Sequence, residues 1–124
     1  MNRYLAGIDA LEYNEEINKQ ERIVISGNVK VIKPGSIKNA DSLREIIFED
    51  GVREIQGAAI TSCEKLERIV LPETIQSIGK GNLIDCDNIR EISVRTEDDN
   101  AVFWSEDGVL YRRDRDGSIE RRSA

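Results

Sequence analysis

With 124 residues and a mass of 14.0 kDa, the chain is sized for one domain and is too short for two ordinary ones. A formal net charge of -6 argues against nucleic acid as a partner. The absence of histidine removes His-based triads, most zinc sites and the commonest acid/base of neutral pH.

Taken in chain order, the first segment is MNRYLAGIDALEYNEE, polar and acidic, with no apolar leader core. No later run approaches the roughly 20 apolar residues that span a bilayer. The chain as given is therefore expected to be cytoplasmic and not membrane-inserted, with secretion or surface display as the alternative if a leader is removed. Leu5, Ile8 and Leu11 recur at spacings of three, which predicts an amphipathic helix within an N-terminal cap over 1–20.

Beyond residue 28 a repeat takes over. Three blocks align without a gap at a spacing of 23: VKVIKPGSIKNADSLREIIFEDG (29–51), VREIQGAAITSCEKLERIVLPET (52–74) and IQSIGKGNLIDCDNIREISVRTE (75–97). Seven columns stay apolar in all three: Val29/Val52/Ile75, Ile32/Ile55/Ile78, Ile37/Ile60/Leu83, Ala40/Cys63/Cys86, Leu43/Leu66/Ile89, Ile46/Ile69/Ile92 and Phe48/Leu71/Val94. Stacked coils would turn each column into a ladder through a shared core. Residues such as Ile46 and Phe48 show the period-two pattern of a strand. A second short extended stretch, such as Val29–Ile32, falls on another side of the coil. The linking segment is short enough for only a helical turn or two, with Pro34 as a helix start and Gly57, Gly79 and Gly81 at corners. Isoleucine outnumbers leucine by 17 to 7, in keeping with strands.

The flanks complete the unit. Ile23 and Ile25 lie 23 residues before Ile46 and Phe48, so 21–25 is a partial repeat and the solenoid runs over 21–97. Val109–Arg113, a DRDG turn and Ser118–Arg121 predict a β-hairpin within a C-terminal cap and tail over 98–124, covering an otherwise open sheet edge.

Cys63-x-x-Leu66-x-x-Ile69-x-Leu71-Pro72, Ile75-x-x-Ile78-Gly79 and Cys86-x-x-Ile89-x-x-Ile92-x-Val94 resemble the BspA-type leucine-rich repeat, as does the ending Asn100-x-x-Phe103-x-Ser105-x-Asp107-Gly108-Val109-Leu110-Tyr111. Ala40 stands in place of the cysteine in the first block, and Glu49 in place of proline. The resemblance implies a β-rich leucine-rich repeat solenoid, a right-handed coil of α/β type with short helical or 3-10 turns. Family members are often large secreted or surface-displayed bacterial proteins, some adhesin-like, which makes a fragment of such a protein one reading of this chain.

On the strand face turned away from the core, Glu21/Arg44/Glu67/Arg90 and Arg22/Glu45/Arg68/Glu91 alternate sign at every step, in antiphase. With strands about 4.8 Å apart, each charge would face its opposite on either side. Such a ladder favours correct register more than it stabilises, an exposed pair being worth about 0–1 kcal/mol. Beside it runs Val24/Ile47/Val70/Ser93, flanked by Glu49, Pro72 and Arg95. This stripe is either a β-branched ladder or the centre of a binding face, with Trp104 as a candidate hot spot or a cap residue.

Cys63 and Cys86 share a column and are read as reduced, buried small residues, with a disulfide geometrically conceivable. Asp114-x-Asp116-Gly117-x-x-Glu120 lacks a full calcium loop, and Ile78-Gly79-Lys80-Gly81-Asn82 lacks phosphate-loop spacing. Asp98/Asp99 and Glu106/Asp107 are carboxylate pairs without a nucleophile–base constellation. The expectation is a non-enzymatic protein-interaction module without metal or cofactor, binding an unidentified protein through Val24, Ile47, Val70, Ser93, Glu49, Arg95 and Trp104. A structural or homo-oligomerising domain is the alternative.

Overall fold

Columns that repeat every 23 residues demand a backbone that returns to the same orientation once per coil. The computed structural model describes residues 2–4, 10–95, 103–106, 109–113 and 119–122 and has this form. In chain order its strands begin with β1 (Asn2–Tyr4), β2 (Ala10–Leu11), β3 (Arg22–Ile25), β4 (Val31–Ile32) and β5 (Ile37–Lys38). There follow β6 (Glu45–Phe48), β7 (Glu54–Ile55), β8 (Ile60–Thr61), β9 (Arg68–Pro72), β10 (Ser77–Ile78) and β11 (Glu91–Arg95). The chain ends with β12 (Phe103–Glu106), β13 (Val109–Arg113) and β14 (Ile119–Arg122).

Each coil has three sides. The long side is a parallel sheet in the order β1-β3-β6-β9-β11, and a second side is β10-β7-β4-β2. The third is the pair β5-β8, extended by the bridge Thr61↔Ile84. Pairing follows the 23-residue offset: Ile23↔Ile46, Ile46↔Ile69, Ile69↔Ile92, Ile32↔Ile55 and Ile37↔Ile60. The apolar columns therefore stack into a β-solenoid of about four turns, with Ile23, Ile25, Ile32, Ile37, Leu43, Ile46, Phe48 and Leu66 fully buried. At the C-terminal end β12, β13 and β14 form an antiparallel sheet. The expected hairpin is β13 paired with β14, and its DRDG turn lies outside the described residues. Phe103 and Leu110 bring this sheet's apolar side chains into the core.

The N-terminal helix expected through Leu11 is corrected. Leu5 and Ile8 lie outside the described residues, but Leu11 is buried in β2 and pairs with Ile32, an offset of 21. A coil two residues short on this side does not align at a spacing of 23. Ile17 does obey the period, 23 residues before Ala40, and is buried within a 3-10 helix at Glu15–Lys19. Asn14 caps that helix by accepting from the Glu16 N–H at 2.9 Å.

Pro34 likewise opens a turn and not a helix. With Gly35 at φ +71° and the Ser36 N–H donating to the Lys33 carbonyl at 3.2 Å, residues 33–36 form a type II turn. The third side is short because its corners are left-handed. Gly35, Ala58 and Gly81 share one positive-φ column, and Asn39, Ser62 and Asp85 another. Glycine, asparagine and aspartate suit that conformation; Ala58 does not.

In the third coil Leu83 also has positive φ, +66°, and the backbone of residues 81–83 departs from the pairing used earlier. Where the Ile37 N–H donates to the Ala59 carbonyl, the Ala59 and Ile60 N–H groups both donate to Asn82 Oδ1, each at 2.9 Å. The same side chain donates through Nδ2 to the Gln56 and Gly79 carbonyls, each at 3.0 Å. A side-chain amide thus stands in for a main-chain rung between coils two and three.

Two stability changes follow, both measurable as shifts of the urea midpoint. Ala58→Gly should stabilise the chain, because relief of about 1–2 kcal/mol of left-handed strain exceeds about 0.4–1 kcal/mol of added unfolded-chain entropy. Asn82→Ala should cost about 1–3 kcal/mol, since it strands partly buried N–H groups. A midpoint unchanged by Asn82→Ala would show that the amide rung contributes nothing.

Candidate protein-binding face

Alternation along each strand decides which side chains leave the core. In β6, Ile46 and Phe48 point inward, so Glu45 and Ile47 point outward, and the parallel register repeats this on β3, β9 and β11. The alternating charge rows are present. In one row Arg22 lies 4.0 Å from Glu45, Arg68 lies 3.3 Å from Glu45, and Arg68 also reaches Glu91 at 3.4 Å. In the other, Arg44 lies 3.9 Å from Glu67. Glu45 is the most sheltered member, its side chain only 14% exposed between two arginines. The remaining partners are largely in solvent, where each pair is worth about 0–1 kcal/mol.

The stripe beside these rows is less apolar at its surface than the sequence suggests. Val24, Ile47 and Ser93 are half-buried, but Val70 is only 4% exposed. Its expected role as an exposed contact is corrected: Ile47 and Ser93 flank it across the ladder, and Arg68 and Pro72 flank it along the strand. A short side chain walled on four sides supports the face and does not project from it. Glu49 is half-buried, and its N–H donates to the Ile25 carbonyl at 2.9 Å. Arg95, opposite Pro72, is exposed at the rim. Trp104 lies in β12 opposite Tyr111, and its side chain is outside what the structure describes. The fold therefore brings Val24, Ile47, Ser93, Glu49 and Arg95 onto one sheet face. Asp98, Asp99, Asp107, Asp114 and Asp116 lie outside the described residues.

Three features away from this face escaped the sequence reading. An apolar cavity of about 130 Å³ opens where coil three departs from the pairing, lined by Ile55, Ile60, Ile78, Leu83 and Leu110 among others. Its one sequence signal is the pair Asn82-Leu83 on the columns that carry Ser36-Ile37 and Ala59-Ile60. Ile84 is 55% exposed one residue further on. At the opposite end of the coil stack, the Lys38 ammonium sits 5.1 Å from the ring centre of the exposed Tyr13, a cation–π contact between residues too far apart in sequence to be paired by inspection.

Comparison with known proteins agrees with this architecture. The model of the BspA type leucine rich repeat region matches residues 10–102 in six copies. None of the curated proteins matches the chain. Among solved structures, a leucine rich cell surface protein from Faecalibacterium prausnitzii A2-165 superposes with a TM-score of 0.68 at 23% identity. The match covers 80% of this chain and 25% of that one, so the present sequence spans a quarter of its neighbour's length. At that identity the likeness is one of fold. The family match takes in all three repeat blocks and the short coil before them, and the chain belongs to the BspA-type leucine-rich repeat family.

Proposed function

We propose that the chain is a non-enzymatic module that binds a protein partner through the outer face of the sheet β3-β6-β9-β11 and the loops beside it. The observation that carries this is the face itself: Ile47 and Val24 lie half-exposed beside rows of paired arginines and glutamates, on a scaffold of stacked coils. Repeat solenoids expose extended surfaces of this kind to partners. Contact falls to Val24, Ile47, Ser93, Glu49, Arg95 and the neighbouring Trp104, with Val70 as their support. Four strands of five residues present roughly 19 by 17 Å, or about 300 Å². A stable interface takes about 800 Å² from each partner, so the face alone binds weakly and the adjoining loops or cap complete it.

A second reading is a structural segment of a longer assembly, displayed at the surface. It is supported by the neighbour, a protein described as cell-surface and about four times as long as the matched segment. A surface location is the alternative to the cytoplasmic one expected from the sequence. No helix among the described residues is long and apolar enough to cross a membrane.

Ile47→Asp separates the readings, because the position is half-exposed and the change leaves the core intact. The variant should keep the wild-type circular dichroism and melting profile but recover less of a specific partner from host extract. Equal recovery of every partner by both proteins would exclude this face. A wild-type dimer by light scattering that Ile47→Asp converts to monomer would instead make the face a self-association surface. Val70→Asp is expected to fail differently, by unfolding.

A further inference from the structure

Cys63 and Cys86 occupy one column on consecutive coils, two residues beyond the parallel bridge Thr61↔Ile84. Bridged strands run about 4.8 Å apart, inside the window of about 4.4–6.8 Å between Cα atoms that a disulfide needs. Both cysteines are free. The Cys86 sulfur leans toward the earlier coil, where the Cys63 N–H donates to it at 3.3 Å, and the two thiols are hydrogen-bond partners.

The two are not equivalent. Cys63 is 0% exposed, with the Thr61 carbonyl oxygen 3.4 Å from its sulfur. Cys86 is 6% exposed, on the coil where Leu83 and Ile89 are only half-buried and Asp85 and Asp87 face solvent. The hydrogen bond from the Cys63 thiol lowers the Cys86 thiol to about 7, against the opposing effects of its own burial and of the Asp85 and Asp87 carboxylates, and the Cys63 N–H adds to the lowering. That hydrogen bond, followed by burial, raises Cys63. The thiolate is the reactive form of cysteine, so the less buried of the two residues is also the one with the larger thiolate fraction.

We propose that Cys86 and Cys63 form a two-electron oxidation site for small hydroperoxides, in which Cys86 reacts first and Cys63 then closes a disulfide between coils two and three. The Cys86 thiolate attacks one peroxide oxygen, the O–O bond breaks, and the sulfur is oxidised to the sulfenic acid. With hydrogen peroxide, the departing oxygen takes up a proton and leaves as water. The Cys63 sulfur then attacks the Cys86 sulfur, the S–O bond breaks, and the hydroxide leaves with the Cys63 proton as a second water. Two thiols and one hydrogen peroxide thus give one disulfide and two waters. Ala40 holds the same column in coil one, so the reaction is confined to coils two and three. The same residue shows that the column accepts alanine, which makes Cys→Ala the suitable variant.

The test is hydrogen peroxide added to the reduced full chain, followed by intact mass and non-reducing peptide mapping. Wild type should lose the mass of two hydrogens, yield one Cys63–Cys86 cross-linked peptide and unfold at higher urea than the reduced chain. Cys63→Ala should leave a sulfenic acid at Cys86 that a cyclic diketone traps, and Cys86→Ala should react with peroxide at least about tenfold more slowly. Oxygen adducts without a cross-link, a disulfide between two chains, or equal rates in the two variants would each overturn the proposal. If either variant fails to fold, the wild-type cross-link map decides alone.

Discussion

Parallel pairing of each coil with the next, at an offset of 23 residues from β3 onward, is the constraint on which the rest of the molecule depends. In a helix bundle a residue's neighbours come from distant and dissimilar stretches of chain. Here, over most of the solenoid, a residue's neighbours are its own counterparts one coil earlier and one coil later. Any property written at one position is therefore presented to itself at about 4.8 Å. Apolar residues profit from this and form ladders. Charges do not, unless the sign alternates, which is the arrangement in Arg22/Glu45/Arg68/Glu91. A cysteine at such a position meets a cysteine. At one corner the contact slips by a residue: a Cβ on Gly79 would lie 2.3 Å from the nitrogen of Gly57, 22 residues earlier.

That rule also separates what can be read from the sequence from what cannot. Side-chain columns at 23 are visible as arithmetic, so the three blocks, the zeroth strand at Ile23 and Ile25, and the ion ladder are all legible. Coil closure on the N-terminal side uses an offset of 21 for Leu11, and two missing residues suffice to hide the pairing of β2 with β4 from the 23-residue columns. The corners are illegible for another reason. Left-handed φ is a backbone property, and Asn39, Ser62 and Asp85 share it while sharing little beyond polarity. Burial on the outer face is hidden as well. Val70 and Ile47 look interchangeable by period, but only Val70 has Pro72 beside it along its strand, where Ile47 has Glu49.

The third coil departs most from the rule. Its Asn82 amide replaces a backbone rung, Leu83 takes positive φ, and the apolar cavity of about 130 Å³ lies beside them. The C-terminal sheet contributes Phe103 and Leu110 to the core, yet Ile78, Leu83, Ile89 and Val94 remain partly exposed around it. Closing a solenoid is harder than propagating it, because the last coil must present an apolar inner surface to something other than its own repeat. The same looser packing leaves Cys86 more exposed than Cys63 in an otherwise equivalent position.

Electrostatics set how a partner would approach the sheet face. The two charged rows contain four arginines and four glutamates, so the face is neutral and the net charge of -6 resides elsewhere on the chain. Alternating charges a few ångströms apart cancel at distances beyond their own spacing, and salt screens what remains over about 8 Å at physiological ionic strength. Such a surface neither attracts nor repels a protein at long range. Under the proposed function, discrimination would act only at contact, where a partner would have to match the antiphase pattern or leave charges desolvated and unpaired. The ladder that pairs coil with coil would thereby also restrict which surface could lie against Ile47.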